Sequence, residues 1–331
     1  MRKMKIVGLV GILLSMVLVL VACSGEAKNI AIGPAGSATN TVSKLILDAY
    51  GIEEGDYNSF EEGFGDAANG VQDGNIDISI GILGLPAGNI TSLQASAGDV
   101  KMLSLSKEAV AHIEESSAYR EFTIPKDAYD FLEEDITTVT AYAILMGNTD
   151  TISEELGYQL AKVMIENSSE ISHAQGAQMT LDNALNGLED LPIHPGAAKY
   201  YQEQGLEFDN PIAELNVTDQ ASELVLGTGS SGGTYYPLGG EMATVWNNNI
   251  DGINVTNRET SASLENLAAI RDGNMDLGMT VHGPAIDAVK GQGDFNEPIS
   301  NVAFIGHIYP EIIQIVTREA TGIESFEDLV K

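Results

Sequence analysis

The chain has 331 residues, a formal net charge of −32 and a single cysteine. A surface this acidic repels phosphate backbones and anionic headgroups, which excludes nucleic acid as a partner. One cysteine excludes an internal disulfide, so the apolar core must supply the stability, and the length is enough for two ordinary lobes.

Arg2, Lys3 and Lys5 precede an uncharged apolar run over 6–22, the basic and hydrophobic regions of an export signal. The run ends in Leu20-Val21-Ala22-Cys23, which resembles the lipobox of bacterial lipoproteins. The resemblance implies a signal peptide at 1–22 and a lipid-anchored Cys23 followed by a tether to residue 28. The remainder is then held outside the cytoplasm, at the bacterial cell membrane. Strands are predicted at 29–33, 76–81, 100–105 and 137–146, and helices at 39–50, 67–73, 106–117, 154–166 and 195–201. Residues 207–222 are polar, contain Pro211 and show no period, which reads as a linker. A second alternating block follows, with strands at 224–227, 253–258 and 275–281 and helices at 235–247 and 263–272. Two further strands, 302–308 and 312–318, are separated by Tyr309-Pro310-Glu311, and 326–330 reads as the first turn of a helix. Alternating strands and helices predict an α/β fold with mainly parallel sheets.

One block occurs twice: Asp73-Gly74-Asn75-Ile76-Asp77-Ile78 returns as Asp272-Gly273-Asn274-Met275-Asp276-Leu277. Each copy ends a predicted helix and starts a strand, with glycine at the left-handed position that closes the helix. The Asp-x-Asn-x-Asp spacing is that of a calcium loop. Ile78 and Leu277 occupy the place of its essential glycine, and Gly84 and Gly283 that of its bidentate glutamate, so no metal is expected. A Gly-rich strand-to-helix turn precedes each copy: Gly33-Pro34-Ala35-Gly36-Ser37 and Gly227-Thr228-Gly229-Ser230-Ser231-Gly232. The second fits a dinucleotide fingerprint, yet its physical content is an anion held on backbone N–H groups at a helix N-terminus, which suits a carboxylate equally. An exported chain has little access to a nicotinamide cofactor, and no cofactor is expected.

The segment from Leu226-Gly227-Thr228-Gly229-Ser230-Ser231-Gly232-Gly233-Thr234-Tyr235-Tyr236-Pro237 onward resembles the opening of the TAXI family. These are the solute-binding subunits of tripartite ATP-independent periplasmic (TRAP) transporters. Ser263-Leu264-Glu265-Asn266-Leu267, Tyr309-Pro310-Glu311-Ile312-Ile313 and Gly322-Ile323-Glu324-Ser325-Phe326 extend the likeness. The early segments Ile32-Gly33-Pro34-Ala35-Gly36-Ser37 and Leu191-Pro192-Ile193-His194-Pro195-Gly196 resemble the family's later half and its usual carboxyl end. The later half therefore comes first, as in a circular permutant. Residues 29–105 would be the family's second lobe and 106–206 the hinge return and carboxyl-end helices. Residues 207–222 would join the family's old termini, 223–310 would be its first lobe, and 311–331 the crossover leading into the second.

The resemblance implies a two-lobed clamshell of the periplasmic-binding-protein type II class. It would capture a small carboxylate, such as glutamate, glutamine or a related dicarboxylate, and deliver it to TRAP membrane subunits. The expected ligand contacts are Thr228, Ser230, Ser231, Thr234, Tyr235 and Ser261 in one lobe, Ser37, Thr39 and Asn40 in the other, and His282 and Tyr309 facing the cleft. Arg258 is the candidate cation. The chain departs from the family's usual polar stretch at Val281-His282-Gly283. An exported enzyme on the same scaffold, using His282 with a neighbouring carboxylate such as Asp287, is one alternative, and a non-functional rearrangement product is another.

Overall fold

The structure, a computed structural model, describes residues 27–218 and 220–329. The expected signal peptide and lipidated Cys23 lie outside the described residues. Among the described residues, ten strands form a single mixed sheet. In chain order they are β1 (Lys28–Ala31), β2 (Tyr57–Phe60), β3 (Ile78–Leu83), β4 (Val100–Met102), β5 (Arg120–Ile124), β6 (Ile136–Asn148), β7 (Glu223–Gly227), β8 (Asn254–Arg258), β9 (Leu277–Val281) and β10 (Val302–Arg318). The order across the sheet is β2-β1-β3-β10-β6-β9-β7-β8, with β4 added on β10 and β5 on β6.

The two ends of this order are copies of one plan. In each, a first strand lies between two parallel neighbours, β2 and β3 around β1, β8 and β9 around β7. The crossovers are α1 (Ala38–Ala49) and α2 (Phe64–Asp73) in the early lobe. In the late lobe, α7 (Tyr235–Asn249) and α8 (Ser263–Arg271) take those places. The remaining helices are α3 (Gly88–Ala97), α4 (Lys107–Ser116), α5 (Glu154–Glu166), α6 (Pro195–Glu203) and α9 (His282–Lys290).

The repeated block performs the same structural task in both copies. Gly74 (φ 73°) and Gly273 (φ 69°) take the left-handed conformation. The next residue then bonds back five positions, Asn75 N–H to Gly70 O and Asn274 N–H to Ala269 O, which closes the helix. The final aspartate turns onto the first strand. Asp77 Oδ2 accepts from Asn29 N–H and Asp276 Oδ2 from Val225 N–H, each at 2.8 Å.

Two long strands join the lobes. β10 pairs antiparallel with β6 over Val302–Ile312 and with β3 over Ile312–Val316. β6 pairs in turn with β9 over 143–147. The expected pair of strands at 302–308 and 312–318 is therefore one strand. Tyr309-Pro310-Glu311, expected to separate them, runs straight through it with register shifts before Gly306 and Tyr309. Pro310 sits opposite Tyr142 and the ladder absorbs it as an irregularity. The mainly parallel sheet is corrected likewise: its centre is antiparallel because both connecting strands run against their neighbours.

The early lobe packs a core on each sheet face, one around Ile30, Ile46, Ile78 and Ile315, the other around Phe64, Val71, Ile90 and Val316. The late lobe buries Trp246, Tyr200, Tyr201 and Phe304 together with the apolar faces of α5 and α6. Trp246 satisfies its indole N–H on Leu160 O at 3.1 Å. Residues 207–218 run over the late lobe in irregular structure, apart from a bridge between Ile193 and Ile212.

Candidate functional site

Strands β1, β3, β7 and β9 end on one side of the sheet, where the following helices begin. A cavity of about 70 Å³ lies there between the lobes, room for several waters or a small organic solute. Ser37, Ala38 and Thr39 at the start of α1 line it, with Thr234 and Tyr235 at the start of α7, Ser261, Ala262 and Ser263 at the start of α8, and Phe64 at the start of α2. Each of these ends carries unpaired N–H groups and the positive pole of its helix. The walls are Ile80, Leu83 and Val281, and the floor is Tyr309 and Glu311.

The rim is built by local hydrogen bonds. Ser37 caps α1, its Oγ accepting from Asn40 N–H at 3.1 Å. Ala262 caps α8 with φ 69° and ψ −145°, a conformation costly for any residue with a Cβ. A buried network holds it there. Ala262 N–H donates to Thr260 Oγ1 at 2.9 Å, and Asn266 Nδ2 donates to Thr228 O at 2.7 Å and Met279 O at 2.8 Å.

Glu311 is the side chain that sequence reasoning missed as a site residue. It is 2% exposed. Tyr235 Oη donates to its Oε2 at 2.9 Å and Tyr309 Oη to its Oε1 at 3.0 Å. Burial pushes its carboxyl up to about 7, against the opposing pull of the two phenol bonds. Burial, and then the Glu311 charge, hold both phenols far above their ordinary range. The signal available in the sequence was an acid between two largely apolar runs, 302–309 and 312–316.

The lobes touch beside the cavity. Gly84 N–H donates to Thr234 Oγ1 at 3.1 Å, Gln175 Nε2 to Leu85 O at 3.2 Å, and Asn89 Nδ2 to Gly232 O. A Cβ at Gly232 would lie 2.6 Å from Gly65 Cα, so this approach of backbone to backbone requires glycine on both sides.

Of the eleven ligand contacts expected from the sequence, Ser37, Thr39, Ser230, Thr234, Tyr235, Ser261 and Tyr309 line the cavity. Four do not. Thr228 is fully buried and donates to Arg258 O at 2.7 Å. Asn40 turns back to Gly33 O at 3.1 Å. Ser231 lines a separate groove with Asn69, Asn89 and Glu259. His282 starts α9 under the sheet junction, its Nδ1 accepting from Tyr142 N–H at 3.1 Å and its Nε2 3.2 Å from Glu189. The carboxylate beside His282 is Glu189, and neither His282, Glu189 nor Asp287 lines the cavity. Arg258 is exposed on the edge strand β8, away from the lining.

The model of the NMT1-like family matches residues 25–205 and 226–331. Among solved structures, the substrate-binding protein of an amino acid ABC transporter is similar at 8% identity, covering 92% of this chain and 90% of that one with a TM-score of 0.41. An ancestral arginine-binding protein bound to arginine is similar at 11% identity, with 90% and 87% covered and a TM-score of 0.36. The BvgS VFT2 domain of Bordetella pertussis is similar at 7% identity, with 89% and 82% covered and a TM-score of 0.36.

Proposed function

Because the chain belongs to the NMT1-like family, we propose that it is an extracytoplasmic solute-binding receptor rather than an enzyme, and that it takes a small carboxylate between its lobes. The observation that carries this is the cavity itself, where the N-terminal turns of α1, α7 and α8 converge with Ser37, Ser230, Thr234 and Ser261 around one space. A carboxylate there finds N–H groups at the positive ends of helices and the hydroxyls of Ser230, Thr234 and Ser261, Ser37 Oγ already donating to Pro34 O at 2.7 Å, and needs no cation partner.

In this reading the receptor is lipid-anchored through Cys23 and serves TRAP membrane subunits, as its TAXI-like motifs suggest. The chain is a circular permutant of that family, divided as the sequence suggests, at 29–105, 106–206, 207–222, 223–310 and 311–331. Two observations support the permutation. The family match breaks at 206–225, which spans the segment that would join the old termini. The last described turn also packs into the early lobe, Phe326 stacking on Tyr50 at 4.9 Å between ring centres.

Thermal unfolding of the chain from Ser24 onward, with and without a panel of small carboxylates, tests the reading. Ligand at about 100 times its dissociation constant adds roughly 2.7 kcal/mol of stability, a shift of several degrees. A cooperative transition that no carboxylate moves would sink the assignment.

A further inference from the structure

The cavity carries two carboxylates, Glu311 on its floor and Glu62 at its edge, and among the described residues lining it there is no Lys, Arg or His. Glu311 is buried with a phenol O–H on each of its oxygens and no cationic partner. An ionised carboxylate has about four acceptor sites, so about two stay open after the phenols are counted. Buried without a cation, such a carboxyl either keeps its proton or ionises when something of opposite charge reaches it. The protein supplies nothing, and the cavity is where a ligand would.

We propose that Glu311 is the ammonium-binding residue of this cavity, and that its solute is a zwitterionic amino acid rather than a simple mono- or dicarboxylic acid. This rests on the carboxylate-receptor reading above and narrows it. The helix N-termini and hydroxyls at the rim take the carboxylate of the solute. Glu311 on the floor takes the ammonium, whose three N–H donors match the open acceptor sites. A dicarboxylic acid lacking the amino group would place its charge against Glu311 and Glu62 with nothing to offset it.

A proton competes with the ammonium for Glu311. The titratable groups around it are Glu62 at the cavity edge, Tyr235 on α7, Tyr309 on β10 and Tyr119 ahead of β5. Burial keeps all three phenols protonated in the neutral range. With the Glu311 carboxyl pushed up to about 7, amino-acid affinity should weaken below that pH, approaching about tenfold per pH unit.

The test is calorimetric titration of the chain from Ser24 onward with L-amino acids, each paired with the acid lacking its amino group, such as L-glutamate against glutarate. The pairs are measured at pH 8 and pH 6, and again on Glu311→Gln. The expected result is an amino acid bound at least about tenfold more tightly than its partner acid, weaker at pH 6 than at pH 8, with the preference lost in Glu311→Gln. A deaminated acid bound as tightly as its amino acid, or a preference kept in Glu311→Gln, overturns the proposal and leaves the carboxylate receptor standing. Binding of neither set overturns both. If Glu311→Gln does not unfold cooperatively, the paired affinities of the unaltered protein decide alone.

Discussion

Glu311 ties the stability of the ligand-free protein to pH. Its ordinary value is 4.5 and burial raises it to about 7. Below about pH 4.5 both folded and unfolded chains carry the proton and there is no penalty. Between 4.5 and 7 the unfolded chain ionises first, so stability falls as pH rises, reaching a loss on the order of 3 kcal/mol above 7. Glu311→Gln removes this dependence. Urea unfolding at pH 4.5 and pH 8 should show the variant gaining on the unaltered protein by about that amount at the higher pH. A gap that stays constant would mean that the carboxyl is not held protonated by burial. Ala262 stores energy in its backbone instead. Ala262→Gly should raise the unfolding free energy by about 1 kcal/mol, the relieved strain exceeding the extra chain entropy, and denaturant midpoints measure it. The sequence announced the site unevenly at this scale. Ser37, Ser230 and Thr234 were legible because helix starts after glycine-rich turns have a chemical signature. Glu311 was not, because an acid beside a proline reads as a turn unless the flanking apolar runs are joined into one strand.

At the scale of elements, the twice-used aspartate is a strand clamp. Asp77→Ala and Asp276→Ala each leave a strand N–H without its acceptor, which should cost about 1–3 kcal/mol. The two costs should be similar, since both bonds measure 2.8 Å, and Asp→Asn at either site should recover most of the loss. Chemical unfolding of the four variants decides it, and a loss at only one site would show that the copies have diverged in role. Elements with a strong period were readable, as α5 shows: Leu156, Leu160, Val163 and Met164 line one buried face over the range expected. β2 and β5 were missed because Tyr57–Phe60 buries only its first residue and Arg120–Ile124 only its last. α3 was missed because Ile90 and Leu93 are its only buried residues. α9 begins at the residue after β9, with no loop to mark the change of period.

For the whole molecule, the contact of Gly65 with Gly232 sets how closely the lobes can meet. Gly232→Val should wedge them apart, enlarging the radius of gyration in small-angle scattering and weakening binding of the proposed solute by about tenfold or more, because lobes held apart would leave that solute touching one rim. Unchanged scattering would mean that the lobes do not need this approach. The two-lobed plan was visible in the repeat, while the merging of both lobes into one sheet was not, since strand pairing across hundreds of residues leaves no local trace. That pairing also orders events during synthesis. β3 has no partner on one side until β10 arrives, and β10 is made more than two hundred residues later. Until then the early lobe presents an open edge with little reason to lock. The early lobe thus completes its pairing only once β10 has been made, so its folding waits on a strand supplied by the later half of the chain.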